Sequence, residues 1–438
     1  MILFYEPINV PIKSLKAIEC LDSRGQPTVA CQCVLNDGSY GFSSVPSGAS
    51  TGQYEAHELR DQDLSRYGGK GVLKAIDNIN HIIAPQIYQN RPDTIKAVDD
   101  LLCSLDTQQK NKIGANATLA VSIAYTRARA MHLGCQLYES LQDHDQPLVM
   151  PVPYMNMING GKHARNELVI QEFMIVPHGF DRFSESVQCG AEVMAHLASI
   201  LDKYYPSIGR GDEGGYAPTG LSDPVTAIEH LKTAIKHANY TEKEVSIALD
   251  CAATEYHKDH MYAIDKDFKT VYDKQAWIEY LVTLSKQFQL CSIEDPLAEE
   301  DFSGWATLTS MIGNQTQLVG DDIFVSQSHR LKQGIEKNCG NAILIKPNQI
   351  GTVTEIHQTV QLARHHGYQI MVSHRSGETE DTFISDLACA WRLGQIKCGP
   401  PKQTDRTAKL NRLKWIECLS SANKLWRFSS QRASAPVI

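Results

Sequence analysis

The sequence predicts a small N-terminal α+β unit followed by a closed α/β barrel, and three observations carry that prediction. At 438 residues the chain is long for one unit, since domains run about 100–200 residues. Beyond residue 150, six short apolar runs each close on a charged or polar residue: 245–250, 290–294, 318–321, 342–346, 370–374 and 395–397. Those closing residues lie 44, 27, 25, 28 and 23 positions apart. A spacing of about 25 suits one strand plus one helix of a parallel βα unit.

In the N-terminal part, 14–20, 28–35 and 39–43 read as strands, with Asn36-Asp37-Gly38 as a hairpin turn. Helical spacing follows over 72–88, with Ile76, Ile79, Ile82 and Ile83, and over an Ala-rich stretch that closes on Gly134. Strands followed by helices make a small α+β unit. The stretch 142–153 carries Asp143, Asp145, Pro147, Pro151 and Pro153 and marks the boundary, giving units 1–142 and 143–438. In the second unit, helices are predicted over 352–366 and from a capped start at Ser222-Asp-Pro224. Further strands near 154–158 and 169–175 favour barrel closure. A polar excursion at 254–272 fills the long first gap. An open doubly wound sheet is the alternative, but no G-x-G-x-x-G or G-x-x-x-x-G-K-[ST] loop supports nucleotide binding there.

Composition narrows the function. The net charge of −8 argues against nucleic acid or an anionic membrane surface as a partner by bulk charge. No apolar run approaches the roughly 18 residues of a membrane span, and the N-terminus lacks a basic leader. Twelve dispersed cysteines without a C-x-x-C pair read as reduced thiols, so a cytoplasmic protein is expected.

In a parallel barrel the C-terminal strand ends converge on one face, which would bring Asp250, Glu294, Asp321, Lys346, His374 and Lys397 into one pocket. Three carboxylates there repel one another unless a hard cation joins them, and oxygen-only ligands suit Mg²⁺ better than Zn²⁺. Each acid taken singly reads equally well as a helix cap. Lys346 closes the most apolar run, either extending to the barrel mouth or serving as a base with a lowered pKa. Lys397 and Arg375-Ser376 make an anion site, although Arg375 alone would read as a surface charge. The loops 159–163 and 211–218 are glycine-rich and read as turns or ligand cradles, and 46–52 reads as a turn or a mobile lid. His257-Lys-Asp-His260 has metal-like spacing but lies in the polar excursion and reads as surface.

The motifs resemble those of the enolase family. The matching segments include Leu21-Asp-Ser-Arg-Gly-Gln-Pro-Thr28, Val45-Pro-Ser-Gly-Ala-Ser-Thr-Gly52, Gln171-Glu-Phe-Met174 and Gly211-Asp-Glu-Gly-Gly-Tyr-Ala-Pro218. They continue through Ser292-Ile-Glu-Asp295, Gly320-Asp-Asp322, Leu344-Ile-Lys-Pro-Asn-Gln-Ile-Gly351 and Ser373-His-Arg-Ser-Gly-Glu-Thr-Glu-Asp381. The resemblance implies an α+β capping domain on a modified (β/α)8 TIM-like barrel. It also implies a hydro-lyase that interconverts 2-phospho-D-glycerate and phosphoenolpyruvate in glycolysis and gluconeogenesis, with two Mg²⁺ per site.

By the same resemblance Asp250, Glu294 and Asp321 ligate the first metal, and Ser50 on the lid the second. Lys346 is the base that takes the C2 proton. Glu213 is the acid that protonates the departing hydroxyl and is held protonated for it, with Glu172 assisting and His374 in the catalytic set. His163, Gln171, Arg375, Ser376 and Lys397 contact substrate. A homodimer or higher homo-oligomer is implied. Surface or RNA-processing partners are known for some members, and the final Pro436-Val437-Ile438 carries no lysine to support such a role. Two departures stand out: Pro347 follows the base, and Gln403 replaces a usual Arg. The alternatives are a superfamily relative acting on an unphosphorylated acid, against which His374-Arg-Ser376 argues, and a binding protein that kept the fold.

Overall fold

A computed structural model describes residues 3–49, 52–107, 109–143, 146–420 and 426. Its first unit opens with an antiparallel meander of β1 (Ile12–Leu21), β2 (Pro27–Leu35) and β3 (Tyr40–Ser44). Helix α1 (Leu73–Asp77), a π turn (Asn78–Ile83) and α2 (Ala84–Asn90) follow one another where sequence periodicity predicts one helix. The π turn immediately precedes the turn holding Pro85, which has no N–H to donate back along the helix. Then come α3 (Ile95–Leu105), α4 (Ala115–His132) and α5 (Leu137–Ser140). Helix α4 is buried on nearly every side, which its alanines permit. At Gly41 a Cβ would stand 2.1 Å from the Ala124 carbonyl oxygen, so glycine lets β3 approach α4.

The second unit begins with β4 (Val152–Asn159) and β5 (Glu172–Pro177), continues through α6 (Phe183–Tyr204) and α7 (Pro224–His237), and reaches β6 (Val245–Asp250). The excursion forms its own small sheet, β7 (His257–Lys258), β8 (Met261–Ala263) and β9 (Val271–Asp273), with His260 at the surface. Strand–helix alternation follows: α8 (Lys274–Phe288), β10 (Ser292–Glu294), α9 (Phe302–Ile312), β11 (Gln317–Gly320), α10 (Ser328–Glu336), β12 (Ala342–Ile345), α11 (Val353–His365), β13 (Gln369–Ser373), α12 (Phe383–Ala390), β14 (Gly394–Lys397) and α13 (Thr404–Ser420). The barrel closes in the order β10-β11-β12-β13-β14-β4-β5-β6.

Every barrel pair is parallel except those of β5, which runs antiparallel to β4 and β6. The uniform parallel rhythm predicted from sequence is corrected at this strand, which occupies 172–177 rather than 169–175. The cause is the link between β4 and β5. It holds only one 3₁₀ turn, Gly161–His163, too little for the crossover a parallel return needs.

The two units lock together at the first turn of α11. Val353 N–H donates to Ser122 Oγ at 3.0 Å, and Thr354 N–H to Asp99 Oδ2 at 2.7 Å, so side chains of α4 and α3 cap a helix of the barrel.

Candidate active site

Strand register assembles the rim. Glu172 at the start of β5, Asp250 at the end of β6 and Glu294 at the end of β10 are successive cross-strand partners. Because β5 is reversed, its first residue reaches the rim that the other strands reach with their last. Lys397, ending β14, extends its ammonium among all three. Nζ lies 2.8 Å from both Glu294 oxygens, 3.2 Å from Glu172 Oε1 and 3.3 Å from Asp250 Oδ2. Gln171 Nε2 donates to the same Asp250 oxygen at 3.3 Å. Burial depresses the Lys397 ammonium, but Glu172, Glu294 and Asp250 outweigh it and hold the pKa well above the ordinary value. Burial, then Asp250, pushes the Glu294 carboxyl well up despite Lys397.

Asp321 follows β11 and is held by Lys346 Nζ on Oδ2 and by Gln349 Nε2 on Oδ1 at 2.9 Å. Burial alone would lower the Lys346 pKa, but the Asp321 carboxylate overrides it and raises it. In this charge arrangement the ammonium form of Lys346 is favoured. Pro347 fits without strain. It opens the 3₁₀ turn Pro347–Gln349, where its missing N–H is not needed, and Lys346 takes the extended backbone that a following proline favours.

Across the cavity stands Glu213, from the loop after α6. Its Oε2 accepts from Asn156 Nδ2 at 3.0 Å, and its Oε1 lies 3.5 Å from His163 Nδ1 and 3.6 Å from His374 Nε2. At Gly211 a Cβ would stand 2.5 Å from Asn159, so glycine lets this loop close against β4. Burial pushes Glu213 up, but the two histidines prevail and hold it well below the usual range. Burial and then the Glu213 charge push Glu172 well up. Of these neighbouring acids the surrounding groups favour the charged form of Glu213 and the neutral form of Glu172. Burial lowers the His374 pKa well below its usual value, with Arg406, Lys397 and Lys409 adding to it against Glu213.

Arg375 faces the same cavity and holds Glu55 of the first unit, at 3.0 and 3.1 Å, together with Asn348 Oδ1 at 2.8 Å. Ser376 Oγ accepts the Ala49 N–H at 2.6 Å, and Ser47 pairs with Gly377 through backbone bonds of 2.7 and 2.9 Å. The predicted lid thus meets the barrel on its N-terminal side. Ser50 and Thr51 lie outside the described residues, as do residues 427–438, which include Pro436-Val437-Ile438.

The cavity is small and is lined by His163, Gln171, Glu172, Glu213, Asp250, Lys346, Ser373, His374, Arg375, Ser376 and Lys397. Several buried polar atoms around it have no hydrogen-bond partner among the described residues: both ring nitrogens of His163, Gln171 Oε1, Glu172 Oε2, Asn156 Oδ1, both side-chain termini of Asn159, and His374 Nε2. Each costs about 1–3 kcal/mol if left unmet, so the site is built to receive a polar ligand. The donor chemistry also suits a hard divalent cation, since Asp250, Glu294 and Asp321 are buried carboxylates on neighbouring strand ends. Ligand atoms gather within 4.8 Å of one another in two sets, His163/Glu172/Glu213 and Asp295/Asp321/Asp322.

Sequence reasoning missed four residues here. Asp295 accepts the backbone N–H groups of Asp321 at 2.9 Å and Asp322 at 2.7 Å, Asn156 and Glu55 act as described, and Arg406 bonds His374. The segment Ser292-Ile-Glu-Asp295 signalled Asp295, and the inward alternation of β4 could have signalled Asn156.

A capped barrel whose rim sets lysines, acids and histidines around one buried cavity defines a class, the barrel enzymes of acid–base chemistry. A profile described as "Enolase, N-terminal domain" matches residues 12–141, and one described as "Enolase, C-terminal TIM barrel domain" matches 147–432. An enolase of Methanopyrus kandleri is 49% identical over 410 residues, spanning 93% of this chain and 95% of that protein. The chain belongs to the enolase family.

Proposed function

We propose that the protein is a phosphopyruvate hydratase, dehydrating 2-phospho-D-glycerate reversibly to phosphoenolpyruvate and water. The observation that carries the reading is the placement of Lys346 and the Glu172/Glu213 pair around one buried cavity that Arg375, Ser376 and Lys397 also line. Lys346 takes the C2 proton. Glu213 serves as the acid for the departing C3 hydroxyl, with Glu172 assisting. Lys397 meets the substrate carboxylate, and Arg375 and Ser376 meet the phosphate, for which Arg375 must exchange Glu55. His163, Gln171 and His374 complete the polar wall.

Asp250, Glu294, Asp321 and Ser50 would hold two Mg²⁺, which supply positive charge beside the substrate carboxylate. With Asp321 so engaged, Lys346 would be freer to act as the base.

A division near residue 142 is part of the proposal, as is a homodimer. Ile18, Tyr40 and Phe42 expose 60%, 52% and 48% of their surface on the outer face of the meander, which supports a second copy as occupant. A cytoplasmic location is supported by twelve cysteines that are all free thiols. Among the described residues no helix is long and apolar enough to cross a membrane.

The decisive experiment follows exchange of the C2 proton of 2-phosphoglycerate with solvent. Wild type with Mg²⁺ should exchange it and Lys346→Ala should not. Retained exchange in that variant removes the assigned base, and equal turnover of glycerate removes the phosphate requirement.

A further inference from the structure

The least expected contact at the site is a guanidinium bonded to an imidazole. Arg406, on α13, is fully buried, and its Nη1 lies 2.6 Å from His374 Nδ1. The same guanidinium donates to the carbonyl oxygens of Arg375 at 2.6 Å, Ser376 at 2.8 Å and Asp212 at 3.2 Å. It therefore spans the loop carrying the anion-binding residues and the loop carrying Glu213.

Arginine offers only donors and stays charged, so His374 Nδ1 must present a lone pair to it. The ring's single proton is then on Nε2. That nitrogen points into the cavity, lies 3.6 Å from Glu213 Oε1 and has no hydrogen-bond partner among the described residues. A second proton would set an N–H against the guanidinium. Of the charged groups that act most strongly on the ring, Glu213 favours that proton, and Arg406 and Lys409 on α13 and Lys397 on β14 oppose it.

We propose that Arg406 is a positioning residue that locks His374 as a neutral Nε2–H donor aimed at Glu213. With Asn156 on the other oxygen, Glu213 then meets a donor on each side. The hydroxyl-facing acid is thereby oriented by a donor that does not titrate. The inference rests on the hydratase reading for its catalytic meaning, but the tautomer itself can be read without turnover.

The test uses protein labelled with ¹⁵N-histidine, the His374 signals being assigned by their loss in His374→Gln. In wild type, Nδ1 should appear unprotonated and Nε2 protonated throughout pH 6–9. In Arg406→Met the ring should mix tautomers and titrate near the ordinary value of about 6.5. Its kcat should fall about 10–100-fold, the range for losing a group that fixes an imidazole, with KM changed far less. A new acid limb should appear in its kcat–pH profile, and Arg406→Lys should recover part of the rate. A wild-type Nδ1–H signal, or a folded Arg406→Met protein that keeps the Nε2–H tautomer, overturns the proposal. If Arg406→Met does not fold, the wild-type spectrum decides alone. An inactive enzyme with the expected tautomer would refute the hydratase reading and leave this one standing.

Discussion

Replacing Asp99 with asparagine should stabilise the protein at neutral pH and leave it nearly unchanged near pH 4. Asp99 lies on α3, is 1% exposed, and accepts the Thr354 N–H at 2.7 Å at the first turn of α11. Its other oxygen has no hydrogen-bond partner among the described residues. Burial pushes the carboxyl up to about 6, against the lowering effect of bonds from Ser122 and Thr354. In the unfolded chain the same group titrates near 3.9, by the usual value of about that size for aspartate. The folded chain therefore binds more protons than the unfolded one between those two values. A pKa raised in this way gives stability that is complete below the unfolded pKa and lost as pH rises through the folded one.

A shift of about two units corresponds to roughly 3 kcal/mol at about 1.4 kcal/mol per unit. The favourable field of the α11 N-terminus, about 0.3–1 kcal/mol, is smaller than that. Asparagine is neutral at every pH and can still accept from Thr354. Urea unfolding of both proteins, followed by tryptophan fluorescence from pH 4.5 to 8, isolates the effect, because all other carboxylates cancel in the comparison. The advantage of Asp99→Asn should grow with pH toward about 3 kcal/mol and level off above pH 7. A difference that does not vary with pH, or a variant less stable at pH 7.5, would mean that the carboxylate is charged at little cost and the burial argument fails.

Two further outcomes are expected. Mg²⁺ should raise the melting temperature of wild type but not of Asp321→Ala. Saturation at about 100 times the dissociation constant adds roughly 2.7 kcal/mol, and equal shifts in both proteins would remove Asp321 from the ligand set. Ile18→Lys, placing a charge on the exposed face of the meander, should halve the molar mass by light scattering with unchanged circular dichroism. An unaltered mass would remove this face as the contact of the proposed dimer.

Much of the barrel was legible because strands buried on both faces read as apolar runs. Val245–Asp250 matches its run residue for residue, and Asp250, Glu294 and Lys397 are the points where strands leave the core. Glu172 was legible only through the family motif. A reversed strand brings its first residue to the rim, and no local pattern distinguishes a reversed strand from its parallel neighbours. The π turn after α1 was equally hidden, since apolar spacing over 72–88 fits an unbroken helix. The remaining gaps are long-range contacts: Arg375 meets Glu55 across 320 positions, and Arg406 meets His374 across 32. Such residues act by holding other protein groups, and a sequence pattern marks the group held rather than the one that holds it.

The charge balance of the cavity ties these pieces together. Around it the acids Glu55, Glu172, Asp250, Glu294 and Asp321 already engage the cations Lys346, Arg375 and Lys397, each of which is paired with at least one of them. Burial first, and the neighbouring carboxylates after it, raise the pKa values of Glu172 and Glu294. A phosphorylated acid brings more negative charge into the same space, so it cannot bind well on the protein's cations alone. On the proposed reading Asp250, Glu294 and Asp321 would hold divalent cations, leaving Lys397 to meet the substrate carboxylate and Lys346 to take the proton. Metal binding, anion binding and the basicity of Lys346 would then be one coupled equilibrium.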